Sequence, residues 1–200
     1  MVKKSDGSLR FCVNYRQLNL ETVKDCYLLP RIDACLDALG EARWFSTFDL
    51  RSGYHQVTMD PRDAEKTTFI TRIGTYCFQA MPFELCNAPA TFQRLMNVVL
   101  SGLNQDVLLV YLDDIIIHSG DLPSHLKSIE RFLERMRLAN LKLKVSKCRM
   151  LQREVHFLGH VMSDNGLKMD PAKIEAVATW PEPQNLKEVR SFVGLCAWFR

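Results

Sequence analysis

The residues best able to do chemistry are carboxylates set in apolar surroundings. Asp113 and Asp114 stand side by side in VYLDDIII, within one of the most apolar stretches of the chain. Like charges this close repel, and desolvating them is unfavourable unless a cation compensates, so a bound metal is the simplest physical reason for the pair. A solvent-exposed Asp-Asp hairpin turn is the commoner occurrence and stays open on these residues alone. A further acid, Asp49, ends another apolar run in WFSTFDLRSGYHQ. If those two strand ends are neighbours, their oxygens can hold two Mg²⁺ ions about 3.5–4 Å apart, the spacing used for phosphoryl transfer. In that chemistry one ion activates an attacking hydroxyl, while the other binds a triphosphate and stabilises the departing pyrophosphate. Hard oxygen ligands favour magnesium or manganese over zinc.

The elements that must position these acids are legible from periodicity. Trp44 to Leu50 reads as a buried strand ending in Asp49, and Val107 to Leu112 with Ile115 to His118 reads as a tight hairpin turning at Asp113 and Asp114. Asn87 and Pro89 predict the cap and first turn of a helix with Phe92, Leu95, Met96, Val99 and Leu103 on one face. Leu126, Ile129, Leu133 and Met136 mark a second amphipathic helix with its basic residues on the far side. Strand-like residues from Leu9 to Val13 form half of a hairpin. Ile32, Cys35, Leu36 and Leu39 fall at helical spacing before Gly40, and Gly74 is flanked by a hairpin over Thr67 to Ile70 and Thr75 to Ala80. Beyond these, Val155 to Phe157 and His160 to Met162 bracket Gly159, Asp170 and Pro171 start a helix, and Asn185 with Glu188 opens another that is still running at Arg200. This order predicts an α+β fold with an antiparallel sheet covered by helices on one face.

Composition narrows the classes. With 200 residues, 47% hydrophobic and 24% charged, the chain can bury one sizeable core. The formal charge is only +3, so any polyanion partner must be met by local clusters: Lys3, Lys4 and Arg10; Lys127, Arg131, Arg135 and Arg137; Lys142, Lys144, Lys147 and Arg149. Seven cysteines without a CxxC pair disfavour a disulfide framework and a zinc site, and fit a reduced intracellular setting. No apolar run reaches the roughly 20 residues of a spanning helix, and MVKKSDGS is not followed by the apolar stretch of a secretory signal.

Taken together, DGSLRFCVNYRQLN, FSTFDLRSGYHQ, MPFELCNAPATFQRLMN, VYLDDIIIHS and VHFLGHV resemble, in order and spacing, the successive motifs of reverse transcriptases from gypsy-type LTR retrotransposons, and DPAKIEAVATWPEP with LKEVRSFVGL resembles the entry to their thumb. The resemblance covers essentially the whole chain. It implies the fingers and palm of a right-hand polymerase over 1–165 and the first thumb or connection helices over 166–200. The implied activity is RNA-directed DNA polymerisation with two Mg²⁺ ions, Mn²⁺ as a substitute, and deoxynucleoside triphosphates on an RNA or DNA template-primer.

Carried over by motif, Asp49 and Asp113 are the principal metal ligands and Asp114 their companion acid. Tyr54, five residues after Asp49, is the gate under the sugar that rejects a 2′-hydroxyl. Lys4 and Arg10 contact the triphosphate, Phe83 borders the nucleotide pocket, and Lys147 acts near the leaving pyrophosphate. Gln93 and Arg94 face the template, and Phe157, Leu158, Gly159 and His160 form the primer grip. The same resemblance implies RNase H and integrase regions elsewhere in a Pol polyprotein, and an intracellular, cytoplasmic site in a virus-like particle with a nuclear phase.

Glu84 stands where the family pattern MPFGLCNAP has glycine, which predicts lower activity because glutamate adds bulk and charge beside a triphosphate where glycine allows an unusual backbone angle. Leu9 and Asn14 replace the usual tryptophan and aspartate, and Asn140 a common glycine. Two other readings compete with an active enzyme: a truncated, silent relic that still binds nucleic acid, and an RNA-dependent RNA polymerase, against which Tyr54 argues.

Overall fold

The structure is a computed structural model that describes residues 2–3, 7, 9–40, 42–103, 107–163 and 166–197. Along the chain these form β1 (Val2–Lys3), β2 (Leu9–Arg10), α1 (Arg16–Glu21), α2 (Ile32–Asp37), β3 (Trp44–Asp49), α3 (Pro61–Ala64), β4 (Phe69–Thr71), β5 (Gly74–Tyr76) and α4 (Ala88–Val99). There follow β6 (Leu108–Tyr111), β7 (Asp114–Ser119), α5 (Leu122–Leu138), β8 (Arg149–Gln152), β9 (Glu154–Phe157), β10 (His160–Ser163), β11 (Gly166–Met169), α6 (Pro171–Ala178) and α7 (Leu186–Ala197).

The element that carries Asp49 explains the rest. Side chains of β3 alternate, so Ser46, Phe48 and the following Leu50 point to one face while Phe45, Thr47 and Asp49 point to the other. Its neighbours pair antiparallel on both sides, giving the order β6-β7-β3-β8. Phe48, Leu50, Leu108, Val110, Ile115 and Ile117 meet Phe92 and Met96 of α4 and Ile129, Phe132 and Met136 of α5 in one core. Phe92, Met96 and Phe132 are fully buried, each contributing about 1.5–3 kcal/mol. This is the helix-covered face expected from periodicity. The opposite face is covered as well: Phe45, Leu109 and Ile116 pack against Cys35, Leu36 and Leu39 and against Val155, Phe157 and Met162. That second cover combines α2 and the residues after it with the antiparallel sheet β11-β10-β9, in which β11 had no clear signal in the sequence. β10 and β11 pair across position 165, so this sheet continues to Met169.

Two helices differ from their expected detail. Asn87 precedes α4 with a helical backbone (φ −94°, ψ −3°) rather than the extended one of a cap, and its side chain makes no cap bond. Its carboxamide instead accepts from the Asp25 N–H (3.0 Å) and donates to the Val23 carbonyl (2.8 Å), tying α4 to the upstream segment. In α5 the buried stripe is His125, Ser128, Ile129, Phe132 and Met136, which leaves Leu126 and Leu133 exposed. The stripe is displaced because Phe132 seats against Phe48, ring centroids 4.7 Å apart, and His125 bonds both Ser46 and Ser119. At the far end, Asn185 accepts from the Glu188 N–H (3.0 Å) and Glu188 from the Gln184 N–H (2.7 Å), a capping arrangement close to the predicted one. No described helix is long and apolar enough to cross a membrane, and all seven cysteines are free.

Candidate active site

The acids are assembled by strand register. Asp49 at the end of β3 lies opposite Asp114 at the start of β7. Because Tyr111 also pairs with Asp114, the two residues of the hairpin turn are Leu112 and Asp113, not Asp113 and Asp114 as the sequence suggested. Asp114 therefore belongs to the strand and shares a face with Asp49, while Asp113 sits at the tip. Leu112 holds φ 56°, a left-handed angle that lets so short a turn close.

Between this strand pair and the β9–β10 turn runs an open cleft of about 300 Å³, lined by Thr47, Asp49, Asp114, Lys147, Arg149 and Leu158 among others. Lys147 donates from Nζ to Asp49 Oδ2 at 2.6 Å. That bond, with the charges of Asp49, Asp113 and Asp114, pushes the Lys147 ammonium above its ordinary pKa. Although Asp114 shows surface to solvent, the atoms crowded about its carboxyl, then the like charges of Asp113 and Asp49, push its pKa up to about 6, with Lys147 opposing. Negative charge thus exceeds what the lysine offsets.

No three His, Cys, Asp or Glu side chains among the described residues stand close enough to hold one ion in common. Mg²⁺, however, is held in polymerase-type sites by one or two carboxylates together with waters and substrate phosphates, not by an all-protein cage. The crowded carboxylates, with an ammonium already drawn to Asp49, fit such an ion in charge and in donor type.

Tyr54 stands on a 3₁₀ turn, Gly53–Gln56, entered through Ser52 at φ 52°. A Cβ on Gly53 would lie 2.9 Å from Phe92 Cζ, so only glycine lets the turn press onto α4. The Tyr54 ring lies 5.4 Å from that of Phe83 and 5.3 Å from that of Phe92. Burial, then the nearby charge of Asp113, raises the phenol pKa. Gln56 braces the turn: its amide donates to the Arg51 and Lys142 carbonyls (2.9 and 3.0 Å) and accepts from the Lys142 N–H (2.6 Å).

Glu84 adopts φ 72°, so the unusual backbone angle anticipated for glycine is present with glutamate in place. Asn19 holds that loop, donating to the Glu84 carbonyl (2.8 Å) and accepting from the Cys86 N–H (2.9 Å).

Other expected residues divide. Gln93 does not face outward to a template; it is fully buried, and its amide bonds the chain at Val110 and Leu112. The sequence signal was there, a polar amide next to the buried Phe92 and one turn before Met96. Arg94 is engaged with Asp25 (2.7 Å) and lies over the Tyr27 ring, 4.7 Å from its centroid. Leu158 (φ 48°) and Gly159 (φ 76°) make the tight turn between β9 and β10, Phe157 is buried in the second core, and His160 donates from Nδ1 to the Leu158 carbonyl at 3.0 Å. Lys4 lies outside the described residues; Arg10 is placed in β2 by its backbone alone.

An antiparallel sheet backed by two helices, with carboxylates converging at the ends of β3 and the β6–β7 hairpin and an aromatic ring beside them, defines a polymerase palm. Residues 2–162 match the family described as reverse transcriptase (RNA-dependent DNA polymerase), and the chain belongs to that family. It is 45% identical to the retrovirus-related Pol polyprotein from transposon 297 of Drosophila melanogaster over 99% of its length, covering 19% of that polyprotein. To the corresponding polyprotein from transposon gypsy it is 39% identical over 96% of the chain, covering 18%. Among solved structures, a foamy viral protease-reverse transcriptase in complex with double-stranded DNA matches with a TM-score of 0.91 at 25% identity, over 100% of this chain and 35% of that one. The chain thus spans about one fifth of the polyproteins it matches.

Proposed function

We propose that this chain is the fingers and palm of an RNA-directed DNA polymerase of a gypsy-type retrotransposon, with the sheet running through β11 to Met169 and the residues beyond it leading into a thumb. The observation that carries the reading is the register of Asp49 against Asp114, which brings the acids of two separate motifs to one edge of the sheet beside Asp113. Asp49, Asp113 and Asp114 are the residues that would hold two Mg²⁺ ions, or Mn²⁺. When bound, the ions supply a lowered pKa for the primer 3′-hydroxyl and positive charge for the triphosphate oxygens. Tyr54, braced between Phe83 and Phe92, presents its ring face under the incoming sugar, where a 2′-hydroxyl would collide. Lys147 neutralises Asp49 and faces the cleft in which the phosphates of the nucleotide would lie. The Leu158–Gly159 turn closes that cleft opposite the acids and would seat the primer end. Template-primer and deoxynucleoside triphosphates are the substrates on this reading, RNase H and integrase regions the neighbours in the polyprotein, and a cytoplasmic particle with a nuclear phase the setting.

The test is extension of a DNA primer on an RNA template. Incorporation of deoxynucleotides in Mg²⁺, abolished by a chelator, is the expected result. Preference for ribonucleotides, or extension that ignores the chelator, would overturn the proposal.

A further inference from the structure

Gln93 is the most completely committed polar side chain near the acids. It is 0% exposed, at the centre of α4. Its Oε1 accepts from the Leu112 N–H at 2.7 Å, and its Nε2 donates to the Val110 carbonyl at 3.2 Å and to Asn97 Oδ1 at 3.1 Å. The orientation of the amide is fixed by its partners, since Leu112 offers a donor and Val110 an acceptor. Asn97 in turn donates to the Tyr27 hydroxyl at 2.7 Å, so the contact continues through α4 to the segment before α2. Leu112, the residue held by Gln93, is in the left-handed region (φ 56°) that a leucine adopts only when its surroundings enforce it. The next residue is Asp113.

We propose that Gln93 is a positioning residue: its buried carboxamide clamps Val110 and Leu112, holds the hairpin turn in its strained form, and thereby aims the Asp113 carboxylate. This rests on the polymerase reading for its catalytic consequence, but not for the clamp itself. A misplacement of about 1 Å in a reacting group costs on the order of 10²-fold in rate. Loss of the clamp acts through the turn, so it lowers kcat and leaves the nucleotide KM nearly unchanged. Glycine accepts the left-handed angle without support, so Leu112→Gly should make Gln93 largely dispensable.

The experiment uses the full chain as wild type, Gln93→Met, Leu112→Gly and the double variant, with folding of each checked by thermal melting. Amide hydrogen exchange at position 112 is followed by NMR alongside primer extension in Mg²⁺. Expected are faster exchange of the Leu112 N–H in Gln93→Met, a kcat lower by about 10²-fold with KM within about threefold, and a drop of less than about tenfold when Gln93→Met is made on Leu112→Gly. A folded Gln93→Met with unchanged exchange at Leu112, or the same kcat loss in both backgrounds, would overturn the proposal. Should the wild type extend no primer, the polymerase reading fails, and the exchange result still decides the clamp.

Discussion

At the scale of single residues, Asp49, Asp113 and Asp114 stood out as charge in apolar sequence, but an exposed turn explained the pair equally until the order of the surrounding motifs set all three in one candidate site. Gln93 was expected to face the template although its place beside Phe92 and one turn before Met96 marks it as buried; its partners Val110 and Leu112 emerge only once α4 is docked on the sheet. Glu84 joins the two kinds of information. Sequence marked it as a departure, and the backbone shows its cost: a φ of 72° that disfavours any residue with a Cβ. Glu84→Gly should stabilise the chain by about 0.5–1 kcal/mol, the left-handed penalty less the extra entropy of an unfolded glycine. Thermal melting should rise by about 2–3 °C, and primer extension should increase. An unchanged or lower melting temperature would show that the loop tolerates glutamate without strain.

At the scale of elements, helices whose apolar period reports a single buried stripe were well placed, as α4 was. The α5 stripe shifted because two of its contacts are polar: His125 bonds Ser46 (2.8 Å) and Ser119 (2.7 Å), and Ser46 also accepts from the Leu151 N–H of β8 (3.0 Å). β8 itself escaped notice because all four of its side chains are exposed and show no alternation. The Ser46 hydroxyl, already accepting from Leu151, donates to Nε2 of a neutral His125 whose Nδ1–H faces Ser119. Burial lowers the pKa of His125, and burial with the nearby His125 lowers that of His118. A base whose folded pKa is depressed stabilises above its unfolded value near 6.5, and that stability is lost as pH falls through the folded one. Urea midpoints should therefore fall below pH 6.5, each histidine contributing up to about 1.4 kcal/mol per pH unit. His118 Nε2 is buried with no partner among the described residues, so His118→Leu should raise stability by about 1 kcal/mol and flatten that fall. A pH profile identical to wild type would contradict the assignment.

At the scale of the whole molecule, the α+β order and the helix-covered face of the sheet followed from periodicity. The cover on the other face did not, since β9, β10 and β11 are only four residues each, β9 and β11 are largely exposed, and their core forms only by packing with α2 on Phe45, Leu109 and Ile116. The balance of charge was equally uninformative at +3, but the fold sorts the basic clusters. Arg149 and Lys147 line the cleft beside Asp49, whereas Arg131 and Arg135 lie exposed on α5, the helix behind the sheet. Binding of a template-primer duplex should weaken with salt, and Arg149→Ala should reduce the slope of log affinity against log salt by about 0.9, the value of one phosphate contact. Arg135→Ala should leave the slope unchanged. Equal effects from both would mean that the cleft is not the nucleic-acid face.

The role proposed for the carboxylates that the pairing of β3 with β7 brings together is metal-dependent nucleotide joining. Single-turnover extension of a DNA primer on an RNA template, comparing the wild-type chain with Asp113→Asn in Mg²⁺, tests it most directly. A fall of about 10³-fold or more, equivalent to about 4 kcal/mol of transition-state stabilisation, is expected with thermal stability retained. Extension by folded Asp113→Asn at the wild-type rate would contradict it.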